Sequence, residues 1–201
     1  MNVVNALKAG FVLFAAALGG CGAAQDGDVA DEAAEAPAGE QQHAWTVGNW
    51  SGTSSSLAAG AFTTGNSSLN LPVCRAAYDG GWQPGKYWQG QCLFEWGGQK
   101  HAASQFQTLV NNGRMSWYKM TATYCSSSGC INQRLPIPQN AIDGGLAGNS
   151  AGNVTLGVCK AKRGDQWHPG KWYANKCNIE WDGGGLALDP IGYDAYVAIS
   201  N

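Results

Sequence analysis

The chain contains one segment twice. Residues 73–98 (VCRAAYDGGWQPGKYWQGQCLFEWGG) and 158–183 (VCKAKRGDQWHPGKWYANKCNIEWDG) align without a gap at an offset of 85, with 11 of the 26 positions identical. The identities are Val73/Val158, Cys74/Cys159, Ala76/Ala161, Trp82/Trp167, Pro84/Pro169, Gly85/Gly170, Lys86/Lys171, Cys92/Cys177, Glu95/Glu180, Trp96/Trp181 and Gly98/Gly183. So many matches in one window mean a single supersecondary unit used twice, which has to bury its apolar face against a neighbour. The offset places Gly60 on Gly145. Toward the C-terminal end it becomes 87, placing Phe106 on Tyr193 and Val110 on Val197. The two units then span 57–110 and 142–197.

Short runs rich in β-branched and aromatic residues predict strands at 73–78, 92–96, 107–110, 116–124, 154–161, 177–181 and 195–200. Clusters of Gly, Pro, Asp and Gln at 79–81, 83–86, 97–98 and 182–185 predict the turns between them. Outside the first 21 residues no long stretch carries a helical period, so the fold class is all-β, built of antiparallel strands. The 29 glycines are then turn residues, and the nine Trp, seven Tyr and five Phe supply a core.

Residues 1–21 (MNVVNALKAGFVLFAAALGGC) have Lys8 as a short positive region and an apolar stretch at 11–18. That stretch is a targeting segment, too short for a membrane span. It ends Leu18-Gly19-Gly20-Cys21, which resembles a bacterial lipobox, so Cys21 is the expected lipid-attachment residue; an ordinary secretory signal is the competing reading. Gly22 in place of an acidic residue favours the outer membrane. Residues 22–42 carry six acids, no base and no aromatic, and are expected to form a disordered acidic tether. The net charge of −2 therefore conceals 8 acids against 11 bases from residue 43 onward. That is a mildly basic domain, far from the charge of a nucleic-acid binder.

With Cys21 lipidated, six cysteines remain. Cys74 and Cys92 repeat the spacing of Cys159 and Cys177, and Cys125 lies near Cys130. An exported chain meets oxidising conditions, so disulfides are expected. Six cysteines allow 15 connectivities, among which the duplication favours pairing within each repeat. Zinc is the competing reading, but no CxxC or suitably spaced His accompanies the thiols. No cofactor or metal is expected.

The string Leu71-Pro72-Val73-Cys74-Arg75-Ala76 is followed by Pro84-Gly85-Lys86, then Trp-Gly-Gly and a closing Phe-Gln-Thr-Leu-Val. In this the chain resembles the DM-nine repeat, over both copies from about residue 57 to 198. The resemblance implies two tandem pseudo-symmetric repeats packed as one intertwined unit. The chain then divides into a signal at 1–21, a tether at 22–42, a first repeat at 43–118, a connecting segment at 119–141 and a second repeat at 142–201. Some members of that family are mannose-binding lectins. In them the Lys of Pro-Gly-Lys and an Asp of the lead-in hold the sugar hydroxyls. The Lys falls on Lys86 and Lys171. The Asp falls near Phe62 and Ala147, neither of them acidic, with Asp79 and Asp143 close by in sequence.

The residues themselves point the same way. A sugar site needs fixed polar groups and often an aromatic face for the ring C–H surface. Lys86 and Lys171 in a Pro-Gly turn would present a cation at a defined place, and Trp82 and Trp167, just before it, are the candidate platforms. Trp96 and Trp181 read as core. Glu95 and Glu180 could form an acid/base pair, but equivalent positions share one environment, whereas a hydrolase needs two different carboxyl pKa values. His43, His101 and His168 are scattered, and His168 precedes Pro169 in one copy only. The expected function is non-catalytic carbohydrate binding, of a mannose type, by an envelope-anchored lipoprotein; the alternative is a structural or protein-interaction module of the envelope. The expected partners are glycans or surface polysaccharide, the membrane through the lipid, and a second copy as a homodimer, with no nucleic acid.

Overall fold

A computed structural model describes residues 45–65, 68–152 and 154–201. Cys21, the signal segment, the acidic tether and His43 lie outside the described residues. In chain order the strands of the first half are β1 (Thr46–Val47), β2 (Val73–Tyr78), β3 (Gly81–Trp88), β4 (Gln91–Trp96), β5 (Gln99–Ala103), β6 (Gln107–Thr108) and β7 (Met115–Lys119). Those of the second half are β8 (Thr121–Ser126), β9 (Gly129–Arg134), β10 (Ile142–Leu146), β11 (Thr155–Arg163), β12 (Gln166–Tyr173), β13 (Lys176–Trp181), β14 (Gly184–Leu188) and β15 (Ala195–Ser200). The chain is all-β, as the sequence predicts; one 3-10 turn at Asn149–Ala151 interrupts it.

The duplication is reproduced strand for strand. β2–β5 form an antiparallel meander, and β11–β14 repeat it in the same register: Val73 faces Lys86 as Val158 faces Lys171. Two-residue turns close the hairpins. Asp79 and Gly80 have φ of 51° and 76°, Ala174 and Asn175 have 48° and 60°. Two successive positive φ values match the twist of the flanking strands.

Two expectations change. Pro84-Gly85-Lys86 and Pro169-Gly170-Lys171 are not turns; they lie inside β3 and β12. Gly85 is required because a Cβ there would collide with the Leu93 carbonyl, and Gly170 meets the Asn178 carbonyl in the same way. Pro84 and Pro169 sit just before pairing with the next strand begins, at Lys86↔Leu93 and Gly170↔Ile179, so a ladder partner lies on one side only.

The second change concerns the flanks, where the offset is not 85. Ala61 bridges Val110 as Ala141 bridges Ile199, and Thr63 bridges Pro72 as Asp143 pairs Gly157. Phe62 therefore corresponds to Ile142, not Ala147. Likewise Cys74↔Thr108 matches Cys159↔Val197, which sets Val110 on Ile199. The reason is loop length. Eight residues separate Thr63 from Pro72, but thirteen separate Asp143 from Gly157.

Thirteen strands make one sheet in the order β1-β10-β11-β12-β13-β14-β5-β4-β3-β2-β6, with β15 on β11 and β7 on β15. The copies meet at Gly184↔Gln99. They also exchange strands: β7 of the first pairs with β15 of the second, and β1 runs parallel to β10. The sheet curls, so β3 packs on β10 and β12, far from it in strand order. At the junction Phe62, Val73 and Leu109 of one copy pack with Ile142, Val158 and Ala198 of the other. Burying each large member contributes about 1.5–3 kcal/mol. Flanking cores contain the disulfides Cys74–Cys92 and Cys159–Cys177. A third disulfide, Cys125–Cys130, ties the separate, exposed β8–β9 hairpin.

Candidate functional site

The curl turns the two Pro-Gly-Lys strands toward each other, and each lysine crosses into the other repeat. Lys86 Nζ lies 2.6 Å from Glu180 Oε2 and donates to the Glu180 carbonyl at 3.2 Å. Lys171 Nζ lies 3.1 Å from Glu95 Oε2 and donates to the Glu95 carbonyl at 2.7 Å. The second oxygen of each carboxylate is held by a turn amide: Gly98 N–H donates to Glu95 Oε1 at 2.8 Å, and Gly183 N–H to Glu180 Oε1 at 3.2 Å. All four side chains are buried. Burial lowers the pKa of Lys171, while Glu95 works to raise it.

One more residue completes each arrangement, and here the copies differ. Gln83 Oε1 accepts from Lys171 Nζ at 3.3 Å. At the matching position His168 Nδ1 lies 3.3 Å from Lys86 Nζ. A lysine ammonium only donates, so Nδ1 accepts and the ring carries its proton on Nε2. Burial first, then the Lys86 charge, pulls the His168 pKa down to about 4 against the opposing pull of Glu180, so the ring is neutral near pH 7. Its edge or face packs at 89° to Trp181, with ring centroids 4.8 Å apart.

Beside Lys86 lies a cleft of about 410 Å³, lined by Leu69, Leu71, Lys86, Trp88, Gln166, His168, Trp181 and Asp182. Trp88 is 39% exposed, so its ring is available to a ligand. The chemistry of the wall is mixed: aromatic and aliphatic surface, one ion pair already satisfied internally, one carboxylate, one amide and one neutral imidazole. Such a wall suits a neutral polar ligand.

Of the residues the sequence singled out, Lys86 lies in this cleft. Lys171 holds the matching position in the other copy, its twin site. Trp82 and Trp167 do not line the cleft; each packs on a cation. Arg75 lies 4.3 Å from the Trp50 ring centroid and 5.0 Å from that of Trp82. Lys160, its counterpart, lies 4.8 to 5.1 Å from the rings of Trp117, Trp167 and Tyr196 and donates to the Thr64 carbonyl. Burial lowers the Arg75 pKa to about 10, which Asp143 opposes, and lowers Lys160 to about 8. Asp143 is thus a partner of Arg75, and its own pKa is raised by burial. Asp79 binds Ser150. Phe62 and Ala147 are both buried. The sequence reading missed Trp88, Gln166 and Asp182, which fall where the copies differ; for His168 the mismatch with Gln83 was the visible signal.

No curated protein matches the chain. Among solved structures, the crystal structure of the nematode sperm cell motility protein MFP2B is similar at 11% identity and a TM-score of 0.40, covering 71% of this chain. The chain spans 40% of the length of that protein. The DM9 repeat matches residues 64–188, which include both Pro-Gly-Lys strands, both buried Lys–Glu pairs and the cleft. By that match the chain belongs to the DM9 repeat family.

Proposed function

We propose that this protein is a non-catalytic carbohydrate-binding module, held at the bacterial cell envelope through a lipid on Cys21, with the cleft beside Lys86 as its sugar site. The observation that carries the reading is the composition of that cleft. Trp88 offers an exposed ring face for the C–H surface of a pyranose, and Gln166, Asp182 and His168 supply polar groups for hydroxyls. Membership of the DM9 family supports binding as the general role. Mannose-type glycans are the first ligands to try. The two buried carboxylates support binding without cleavage: Glu95 and Glu180 each have both oxygens engaged, by a lysine and by a turn amide, and so neither is poised to protonate a leaving group.

The test is a glycan array followed by calorimetry on the hits, mannose included. Binding that falls at least tenfold in Trp88→Ala supports the site. A chain that binds no glycan refutes it. For the anchor, incorporation of labelled fatty acid that disappears in Cys21→Ser is expected; unchanged incorporation refutes it. One observation favours protein interaction as a second reading. Tyr124 and Ile131 stand opposite each other on the β8–β9 hairpin, 52% and 68% exposed.

A further inference from the structure

Among the described residues, the sites beside the two matched lysines are not equally filled. Around Lys171 the twin site is filled by the chain itself. Gln83 Nε2 donates to the Leu146 carbonyl at 3.2 Å and to the Ala147 carbonyl at 3.0 Å. The same segment is fastened further along, where Asn149 N–H donates to the Asp79 carbonyl at 2.9 Å and Ser150 N–H donates to Asp79 Oδ2 at 3.1 Å. Two differences between the copies make this one-sided. The lead-in to β11 has thirteen residues where that to β2 has eight, enough extra chain to reach the cleft. The segment also lies flat on Gly81, where a Cβ would collide with the Leu146 carbonyl and come within 2.7 Å of Gly148 N. The residue matching Gly81 is Gln166, whose side chain lines the cleft beside Lys86.

The filled cleft shows what the other one is built to hold. Gln83 and His168 occupy the same register position, and each accepts from a buried lysine through one atom. Each then has one donor nitrogen left. Gln83 Nε2 carries two N–H groups and donates them to two chain carbonyls. His168 Nε2–H is buried and has no hydrogen-bond partner among the described residues. A buried donor left unpaired keeps its desolvation penalty, which a ligand oxygen in that place would relieve.

Resting on the sugar-site reading above, we propose that the protein binds one ligand per chain, selected by His168. Its Nε2–H donates to a ligand oxygen that stands where the Leu146 and Ala147 carbonyls stand in the twin, and the twin stays closed by residues 146–150. The ligand class is a neutral polyhydroxylated molecule, which brings acceptor oxygens without adding charge beside the internally balanced Lys86–Glu180 pair.

The experiment has two arms on the full chain. The first needs no ligand. Imidazole nitrogen shifts at pH 7 are expected to show the Nε2–H tautomer for His168. Acetylation of Lys171 is expected to be slow, and to accelerate at least tenfold on deletion of residues 146–150 or in Gly81→Gln, which copies the open cleft. An Nδ1–H tautomer, or a Lys171 that reacts at the same rate in all three proteins, overturns the proposal. The second arm titrates methyl mannoside by calorimetry. One site per chain is expected, with binding lost by at least tenfold in His168→Phe, kept within about threefold in His168→Gln, and raised to two sites by the deletion. Two sites in the unaltered chain, or unchanged binding by His168→Phe, overturns it. Should no protein in the set bind the mannoside, the mannose reading of the cleft fails, and the first arm alone decides whether the twin is closed.

Discussion

The buried imidazole of His168 makes the fold sensitive to mild acid, by an amount that can be worked out. An exposed histidine takes up a proton near pH 6.5; in the folded chain burial and the nearby Lys86 charge hold His168 at about 4. Between these values the unfolded chain binds a proton that the folded chain refuses, so stability falls as pH falls from 6.5 to 4 and is unaffected by this group above 6.5. The full loss is about 3 kcal/mol, and about 2 kcal/mol has gone by pH 5. For a domain of this size that is a drop in Tm of about 4–8 °C. The burial-raised carboxyl of Asp143 acts with the opposite sign, since the folded state takes its proton first. It is present in wild type and variant alike and cancels in their difference. His168→Gln restores the residue used at Gln83, keeps an acceptor for Lys86 and removes the titration. Thermal melts at pH 7.5 and pH 5 should show the wild type losing about 4–8 °C more than the variant. Equal losses would refute the argument, because the acid sensitivity would then belong to other groups.

Three further outcomes follow from the packing. Lys160, held at about 8 by burial, loses its proton in the folded state before an unfolded lysine does at 10.5, so stability rises with pH in that interval. Lys160→Met should remove about 2 kcal/mol of that rise between pH 7.5 and 10, measured by urea unfolding. Glu180→Gln strands the buried Lys86 ammonium and should cost about 3–5 kcal/mol, whereas Lys86→Met combined with Glu180→Leu should recover most of it. Gly81→Ala should cost more than about 1 kcal/mol through the Leu146 carbonyl, while Gly52→Ala, which faces open space, should stay within about 0.5 kcal/mol.

The parts of this structure that could be read from the sequence are those fixed by spacing. Identical Cys–Cys spacings gave the two long disulfides, and the gapless match gave the shared register of β2–β5 and β11–β14, because antiparallel neighbours joined by two-residue turns leave no freedom of alignment. Pro-Gly-Lys was misleading because Pro and Gly signal turns, and only the passage of the Leu93 and Asn178 carbonyls across Gly85 and Gly170 shows why a strand needs them. Burial of Lys86 and Lys171 could not be read either. Their carboxylate partners are 94 and 76 residues away and come from the other copy, so no local pattern records them. The filling of one cleft depends on loop length outside the matched window, where a gapless alignment carries no information.

The crosswise pairing also changes what the duplication says about function. Lys86, Lys171, Glu95 and Glu180 are matched between the copies, and matched lysines suggest two sugar sites. Yet each lysine is needed by the fold, since without its partner repeat it would be a buried cation with no counter-charge, a cost of several kcal/mol. One repeat alone therefore cannot keep its own Pro-Gly-Lys strand buried, and the pairing accounts for both lysines whether or not either site binds anything. The symmetric residues are thus evidence about stability. Evidence about a ligand has to come from positions where the copies have been released from each other: His168 against Gln83, Gln166 against Gly81, Asp182 against Gly97, and thirteen lead-in residues against eight. Three of those differences line the same cleft and the fourth closes its twin. Removing the polar groups of His168, Gln166 or Asp182 should therefore weaken ligand binding with little change in Tm at pH 7, whereas substitutions at the matched lysines and glutamates should act first on Tm.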